Sequence, residues 1–233
     1  MIKAVIFDMD DTLFNEKDYN YSGFYHVSKY IAMKIKEINS NDLYKEMIDV
    51  FNDGTRGNIF NLALKRFEIE DYFNVNDLVN IYRNHIPKIE LYNDANEALT
   101  ILKQLNYKLG VITDGYSNAQ WQKIKALKLD QRVDTVIITD DIGRDYWKPS
   151  SVPFQKALQD LNINGFESIY VGDNPHKDFS GAKKLDIYTI RVLRGKCKYD
   201  KVENEKEADE TVKDLRDILE IVNKKELFYE DRI

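Results

Sequence analysis

The stretch Lys3-Ala-Val-Ile-Phe-Asp8-Met-Asp10-Asp-Thr12-Leu13 decides how the rest of the chain is read. Residues 3 to 7 are mostly β-branched or aromatic and too few for a helix, so they predict a buried strand of a parallel sheet. The apolar run ends abruptly in carboxylates, which puts Asp8 and Asp10 just past the carboxyl end of that strand. In open α/β sheets that edge is where ligands bind. Carboxylates crowded there repel one another, and a pKa rises unless a cation lies between them. A hard, oxygen-seeking ion such as Mg²⁺ resolves the conflict. Taken alone, the stretch reads equally well as a strand broken by two loop aspartates.

Outward from this strand the texture changes twice. Residues 15–87 have helical periodicity and no convincing strand. Asp18 is placed to cap a helix through Tyr21, Phe24, Tyr25, Ser28 and Ile31 to Ile38, and Ser40 to start a second with Leu43, Met47, Val50 and Phe51 on its apolar side. Ile59, Phe60, Ala63, Leu64 and Phe67 mark a third, and Leu78, Val79 and Tyr82 a fourth, closed by Pro87. Beyond Pro87, helix and strand alternate. Strands are predicted over 108–113, 135–138, 168–171 and 188–192, with helices between them and a short edge strand at Thr211-Val212. Leu215, Ile218, Leu219 and Val222 predict a closing helix, and 224–233 a tail. The expectation is an α/β fold: a doubly wound, Rossmann-like parallel sheet made by residues 1–14 and 88–233, with an all-helical cap over 15–87.

Composition narrows the function classes. With 233 residues, 43% hydrophobic and 32% charged, the chain has apolar residues enough for a core without disulfide staples. A net charge of -6 argues against nucleic acid or an anionic membrane as the main partner. Cys197 is the single cysteine, read as an incidental thiol in a Lys-rich loop. The first residues show no signal-peptide pattern, and no apolar run approaches the ~20 residues of a membrane span, so a cytoplasmic protein, monomer or homodimer, is expected. His26, His85 and His176 are scattered without metal-ligand spacing. The stripe Tyr21, Phe24, Tyr25 reads as core. Arg56, in a Gly-flanked loop, reads as an exposed arginine rather than an anion ligand.

Polar residues follow one predicted strand after another: Asp8 and Asp10 after the first, Thr113-Asp114-Gly115 after the second, Gly172-Asp173-Asn174 with Asp178 after the fourth, and Lys148-Pro149 between the third strand and its helix. All fall on one sheet edge. Asp8-x-Asp10-x-Thr12 after an N-terminal strand, Thr113-Asp-Gly, Lys148-Pro149 and Gly172-Asp173-Asn174-x-x-x-Asp178 resemble, in order, the four motifs of the haloacid dehalogenase superfamily. The helical block sits where one subgroup carries a helical cap. The resemblance spans roughly residues 1 to 195, and departs where many relatives have Asn in place of Asp114.

What the resemblance implies is a Mg²⁺-dependent phosphatase acting on a small phosphorylated metabolite. Asp8 is then the nucleophile that forms an aspartyl-phosphate, and Asp10 the acid that protonates the leaving oxygen and then the base that activates water. Thr113, with the backbone at Asp114 and Gly115, holds phosphoryl oxygens. Lys148 neutralises charge on the phosphoryl group and on Asp8. Mg²⁺ is ligated by Asp8, the Asp10 main-chain carbonyl and Asp173, with Asp178 binding through water or orienting Lys148. Haloacid dehalogenases themselves lack a carboxylate equivalent to Asp10, so its presence favours phosphoryl over carbon–halogen chemistry. A phosphomutase on the same scaffold, or a catalytically silent binding protein, are the alternatives, and the sequence does not identify the substrate.

Overall fold

The computed structural model describes residues 1–230, with side chains to Lys225. The chain folds into two compact units, one made by Met1–Glu16 together with the chain from Glu90 onward, the other by Lys17–Ile89.

The first unit is built on six strands, β1 (Ala4–Phe7), β2 (Lys108–Thr113), β3 (Thr135–Ile138), β4 (Ser168–Gly172), β5 (Tyr188–Val192) and β6 (Glu210–Val212), in the order β3-β2-β1-β4-β5-β6. Every neighbouring pair is parallel, with Ala4 opposite Lys108 on one side and Ser168 on the other. This is the doubly wound α/β fold expected from the alternating pattern. Side chains alternate across a strand, so Ala4 and Ile6 join Ile112, Ile137 and Tyr170 in a core covered by Phe154, Ala157, Leu158 and Leu161 of α8 (Val152–Leu161) and Ala182 of α9 (Ser180–Lys183). Val5 and Phe7 are buried as completely, so both faces of β1 are covered. Helices α5 (Asn93–Gln104), α6 (Ser117–Ala126) and α7 (Thr139–Ile142) complete the connections. The last is a four-residue turn that polar Thr139-Asp-Asp did not signal.

β1, β4 and β6 differ from the sequence reading by one residue at one end, and two helices differ by more. The closing helix, α10, runs Asp217–Glu230, so most of the segment read as a tail is helical. Ile218, Ile221 and Val222 bury its face, and the Lys225 ammonium lies 3.2 Å from the centre of the Tyr188 ring, which draws the charged continuation onto the sheet edge. Residues 231–233 lie outside the described residues. Helix α1 runs Glu16–Lys34, whereas the sequence reading had Asp18 capping it and Ile38 ending it; the Asp11 carboxylate accepts the Glu16 N–H at 3.0 Å, so the helix starts ahead of Asp18.

The second unit contains most of α1 with α2 (Ser40–Asn52), α3 (Ile59–Arg66) and α4 (Val75–Asn84). The side chains of Asn39 and Asn74 cap α2 and α4 by accepting N–H groups two residues on, both at 2.8 Å. Phe24, Val27, Ile31, Leu43, Met47, Phe51, Phe60, Leu64 and Leu78 pack into one core. The aromatic stripe divides: Phe24 is buried in that core, whereas Tyr25 is 45% exposed.

Candidate active site

β1 ends at Phe7, and the Asp8 N–H continues its pairing by donating to Val171 O at 2.8 Å, so Asp8 stands at the carboxyl edge between β2 and β4. The chain then turns, with the Leu13 N–H reaching back to Met9 O at 2.9 Å and Asp11 in the left-handed region at φ 57°. Asp tolerates that conformation. The turn brings Asp10 back to the edge and sends Asp11 toward Gly195, whose own φ is +65° and where a Cβ would lie 2.4 Å from Asp11 Cβ. Only glycine permits that approach.

Lys148 is the hub. Its ammonium is 2.5 Å from Asp8 Oδ1, 2.7 Å from Asp178 Oδ1 and 2.9 Å from Tyr170 Oη, with the side chain fully buried. The Thr12 hydroxyl donates to Asp8 Oδ2 at 3.3 Å. Burial is the largest influence on Asp8 and opposes its ionisation, but the Lys148 and Lys177 charges together with hydrogen bonds from Lys148 and the Met9 backbone outweigh it and hold the carboxyl below the usual range. Asp178 Oδ2 accepts the Asn174 N–H at 2.9 Å. The close approach depends on Gly172, where a Cβ would meet Asp178 Oδ2 at 2.5 Å.

Asp10 sits in a second network. Lys123 Nζ is 2.8 Å from its Oδ1, and Gln120 Nε2 donates to its Oδ2 at 3.0 Å. The same Gln120 nitrogen is 2.5 Å from Thr113 Oγ1 and 2.8 Å from Asp114 O. Burial is the largest influence on Asp10, ahead of the opposing Lys123 charge, and its carboxyl is raised above the usual range. The two carboxyl groups thus sit two residues apart in environments that push them in opposite directions.

Asp173, nearly buried at the end of β4, is pushed up to about 9 by burial and then by Asp8, Asp178 and Asp11. Ligand oxygens of Asp8, Asp173 and Asp178 all lie within 4.8 Å of one another. This set of hard carboxylate oxygens fits a divalent cation such as Mg²⁺, whose charge would relieve the crowding. The Asp10 carboxylate is outside the cluster, turned to Lys123 and Gln120.

Asp114 Oδ1 accepts both the Thr139 hydroxyl at 2.9 Å and the Lys148 N–H at 3.1 Å, while Lys177 Nζ is 3.3 Å from Oδ2. Asp114, Lys148 and Lys177 line a cleft of about 340 Å³ with Asp10, Asp11, Glu16, Trp147, Asp173, Asn174 and Lys196. A larger cavity, about 530 Å³, lies in the helical unit beside Tyr21, Tyr25 and Tyr44. It lacks a comparable cluster of carboxylates, so the smaller cleft is the candidate site.

The structure therefore brings Asp8, Asp10, Thr113, Asp114, Lys148, Asp173 and Asp178 together at one edge. Sequence reasoning missed Gln120, Lys123, Tyr170 and Lys177. Gln120 and Lys123 are buried on α6, and polar residues three apart on the inward face of a helix were the available signal. The histidines are less scattered than their spacing implied, since the rings of His26 and His85 lie 5.0 Å apart in the helical unit. His176 meets Asp200 at 3.0 Å. The Cys197 thiol is buried and pushed up to about 12 by burial and then by Asp173 and Asp200, which suits no nucleophile. Arg56 is exposed and lies over the Phe51 ring at 3.8 Å.

Comparison with known proteins agrees with this geometry. The profile of the family described as haloacid dehalogenase-like hydrolase matches residues 5–192. A glyceraldehyde 3-phosphate phosphatase of Methanocaldococcus jannaschii is 29% identical over 231 residues, covering 95% of this chain and 97% of that protein. The pyrophosphatase PpaX of Bacillus mycoides is 29% identical over 204 residues, covering 84% and 87%. Among solved structures, a HAD phosphatase from Thermococcus onnurineus superposes with a TM-score of 0.62 at 25% identity, over 95% of this chain and 98% of that one. No described helix is long and apolar enough to cross a membrane.

Proposed function

Because this chain belongs to the haloacid dehalogenase-like hydrolase family, we propose that it is a Mg²⁺-dependent phosphatase that hydrolyses a small phosphate monoester through an aspartyl-phosphate on Asp8. The observation that carries the reading is the opposed pair of carboxyl groups, Asp8 held ionised beside Lys148 and Asp10 held toward its protonated form by burial. Two carboxyls driven apart in pKa are the arrangement that separates a nucleophile from a general acid.

Phosphate monoester hydrolysis requires up to ~10²¹-fold acceleration, so positioning and charge neutralisation must act together. In the first half-reaction an Asp8 oxygen forms a bond to phosphorus as the ester P–O bond breaks, and Asp10 gives its proton to the leaving oxygen. In the second, Asp10 takes a proton from water, the water oxygen bonds to phosphorus, and the Asp8–phosphorus bond breaks to release phosphate. The Thr113 hydroxyl accepts from Gln120, which leaves its own hydrogen to donate to a phosphoryl oxygen. Lys148 fixes the Asp8 rotamer and offsets its charge. Asp8, Asp173, Asp178 and the Asp10 main-chain carbonyl would hold Mg²⁺, which supplies neutralisation where two anions must meet. The all-helical block takes the part of the cap that selects the substrate.

The names of the relatives put glyceraldehyde 3-phosphate first and pyrophosphate second among substrates to try. Phosphate release from p-nitrophenyl phosphate and these two compounds, with Mg²⁺ and with chelator, tests the proposal. Mg²⁺-dependent turnover that Asp8→Asn abolishes is expected. Folded wild-type protein that releases no phosphate from any of them would overturn it.

A further inference from the structure

Helix α6 leaves the Thr113-Asp-Gly loop with Gln120 and Lys123 three residues apart on its inward face, 1% and 5% exposed. Neither belongs to the four motifs. Lys123 Nζ meets Asp10 Oδ1 at 2.8 Å. Gln120 Nε2 lies 3.0 Å from Asp10 Oδ2, 2.5 Å from Thr113 Oγ1 and 2.8 Å from Asp114 O. Asp114 O and an ionised Asp10 can only accept, which sets the amide with its NH₂ toward them. Room for that side chain comes from Gly115, at φ +137°, where a Cβ would stand 3.0 Å from Gln120 Cδ.

The two donors divide the Asp10 carboxylate between them, one to each oxygen, and hold it in one orientation at the cleft it lines. As a means of stabilising the fold this is poor, because a buried ammonium and carboxylate recover little beyond their desolvation cost. As a means of aiming an acid it is effective. Once Asp10 has given its proton to the leaving oxygen, the charge left on the carboxylate finds the Lys123 ammonium and a Gln120 N–H already in place. Gln120 also ties the carboxylate to the Thr113 hydroxyl, so the proton donor and the group that holds the phosphoryl oxygens are fixed relative to one another.

We propose that Gln120 and Lys123 are positioning residues for the proton transfers made by Asp10, supplied by α6 of the α/β unit itself. The assignment rests on the phosphatase reading and adds to it two residues that touch neither the reacting phosphorus nor the carboxylate cluster around Asp8.

The test compares p-nitrophenyl phosphate with phenyl phosphate. The two esters have similar shapes, but phenolate is the more basic leaving group and depends more on a proton from the enzyme. Their kcat/KM values cover the steps up to the aspartyl-phosphate, where Asp10 acts as the acid. Lys123→Met is expected to lower kcat/KM about 100-fold for phenyl phosphate and about tenfold or less for p-nitrophenyl phosphate, the scale of lost general-acid assistance. Gln120→Met should show the same bias, which a merely structural lesion would not produce. In Asp10→Asn, which has no carboxyl proton to give, Lys123→Met should cause no further loss with phenyl phosphate. Equal losses on both esters in folded Lys123→Met, or a full second loss in the Asp10→Asn background, overturn the proposal. If Lys123→Met does not fold, equal losses in Gln120→Met overturn it instead. A wild type that hydrolyses neither ester overturns the phosphatase reading and this assignment together, whereas wild-type turnover with equal losses in the variants overturns the assignment alone.

Discussion

In the helical unit, Phe24 packs edge-on to Phe51 and Phe60 with centroids 5.6 and 6.2 Å away and stacks on Tyr82 at 5.8 Å, and Ser28 and His85 are the buried polar side chains among the described residues. In the α/β unit, Asp8, Asp11, Thr113, Gln120, Lys123, Lys148, Asp173 and Asp178 are all buried, most of them in contact with another of the set. Burying a charge costs more than it returns unless its partners are well placed, and replacing such pairs by apolar residues is often neutral or stabilising. A dense set of them at the ligand-binding edge of a sheet is what a reaction requires and a fold does not. The helical unit has an ordinary core; the α/β unit carries charges that stability alone would not select.

The largest effect should follow from removing one carboxylate of that set. Asp8→Asn is expected to lower turnover by about 10⁴-fold or more, the scale on which loss of a covalent nucleophile acts, with the fold retained by circular dichroism. A loss of similar size from Phe24→Ala, assayed in the same way, would break the contrast, because it would place chemistry in the helical core.

Lys148→Ala leaves Asp8 and Asp178 buried without their cation, and breaking such a pair costs about 3–5 kcal/mol. Phe24→Ala removes a ring 2% exposed and costs a comparable ~3–4 kcal/mol through transfer and cavity. Urea unfolding separates the two causes through pH. Acid protonates the carboxylates and shrinks the Lys148→Ala penalty; the Phe24→Ala penalty should stay constant.

The difference between the units also explains what could be read from sequence. β2, β3 and β5 were legible to the residue because a buried parallel strand is a short apolar run with polar ends. The helical core was legible through its 3.6-residue period, as in Leu43, Met47 and Phe51. Aspartates at strand ends announced the site. Gln120, Lys123 and Lys177 did not, because on a helix or beside a motif such residues are ordinarily solvated, and only the fold shows that two of them are buried against Asp10 and a third faces Asp114.

A third effect is the pH dependence of stability in chelator. Asp173 is pushed up to about 9 in the folded protein against about 3.9 when unfolded. Between those values the native state binds more protons than the unfolded state, so stability falls as pH rises from about 4 toward 9. Asp10 and Asp178, also raised, act in the same direction. Asp8, which is lowered, contributes stability already complete above about pH 4. Melting temperature in chelator should therefore decline across this window, the decline should weaken in Asp173→Asn, and added Mg²⁺ should reverse it through binding to the native state. A flat profile in chelator would show that the carboxylates are accommodated without a cation.

The smallest effect sharpens the comparison from the helical side. Arg56 donates to Phe51 O at 2.7 Å and Thr55 O at 2.8 Å and lies over the Phe51 ring, contacts that tie down its own loop. At an exposed site a cation over an aromatic face contributes about 0.5–1 kcal/mol, so Arg56→Ala should shift the urea midpoint slightly and leave kcat and KM for p-nitrophenyl phosphate as they were. A KM that rises for an anionic sugar phosphate, but not for the aryl phosphate, would mean that the helical unit supplies a charge for substrate selection. The division would then lie between bond breaking and substrate choice, since charge would serve both units. Unchanged constants for both substrates would leave Arg56 as a stacking residue and keep the working charges on the α/β side.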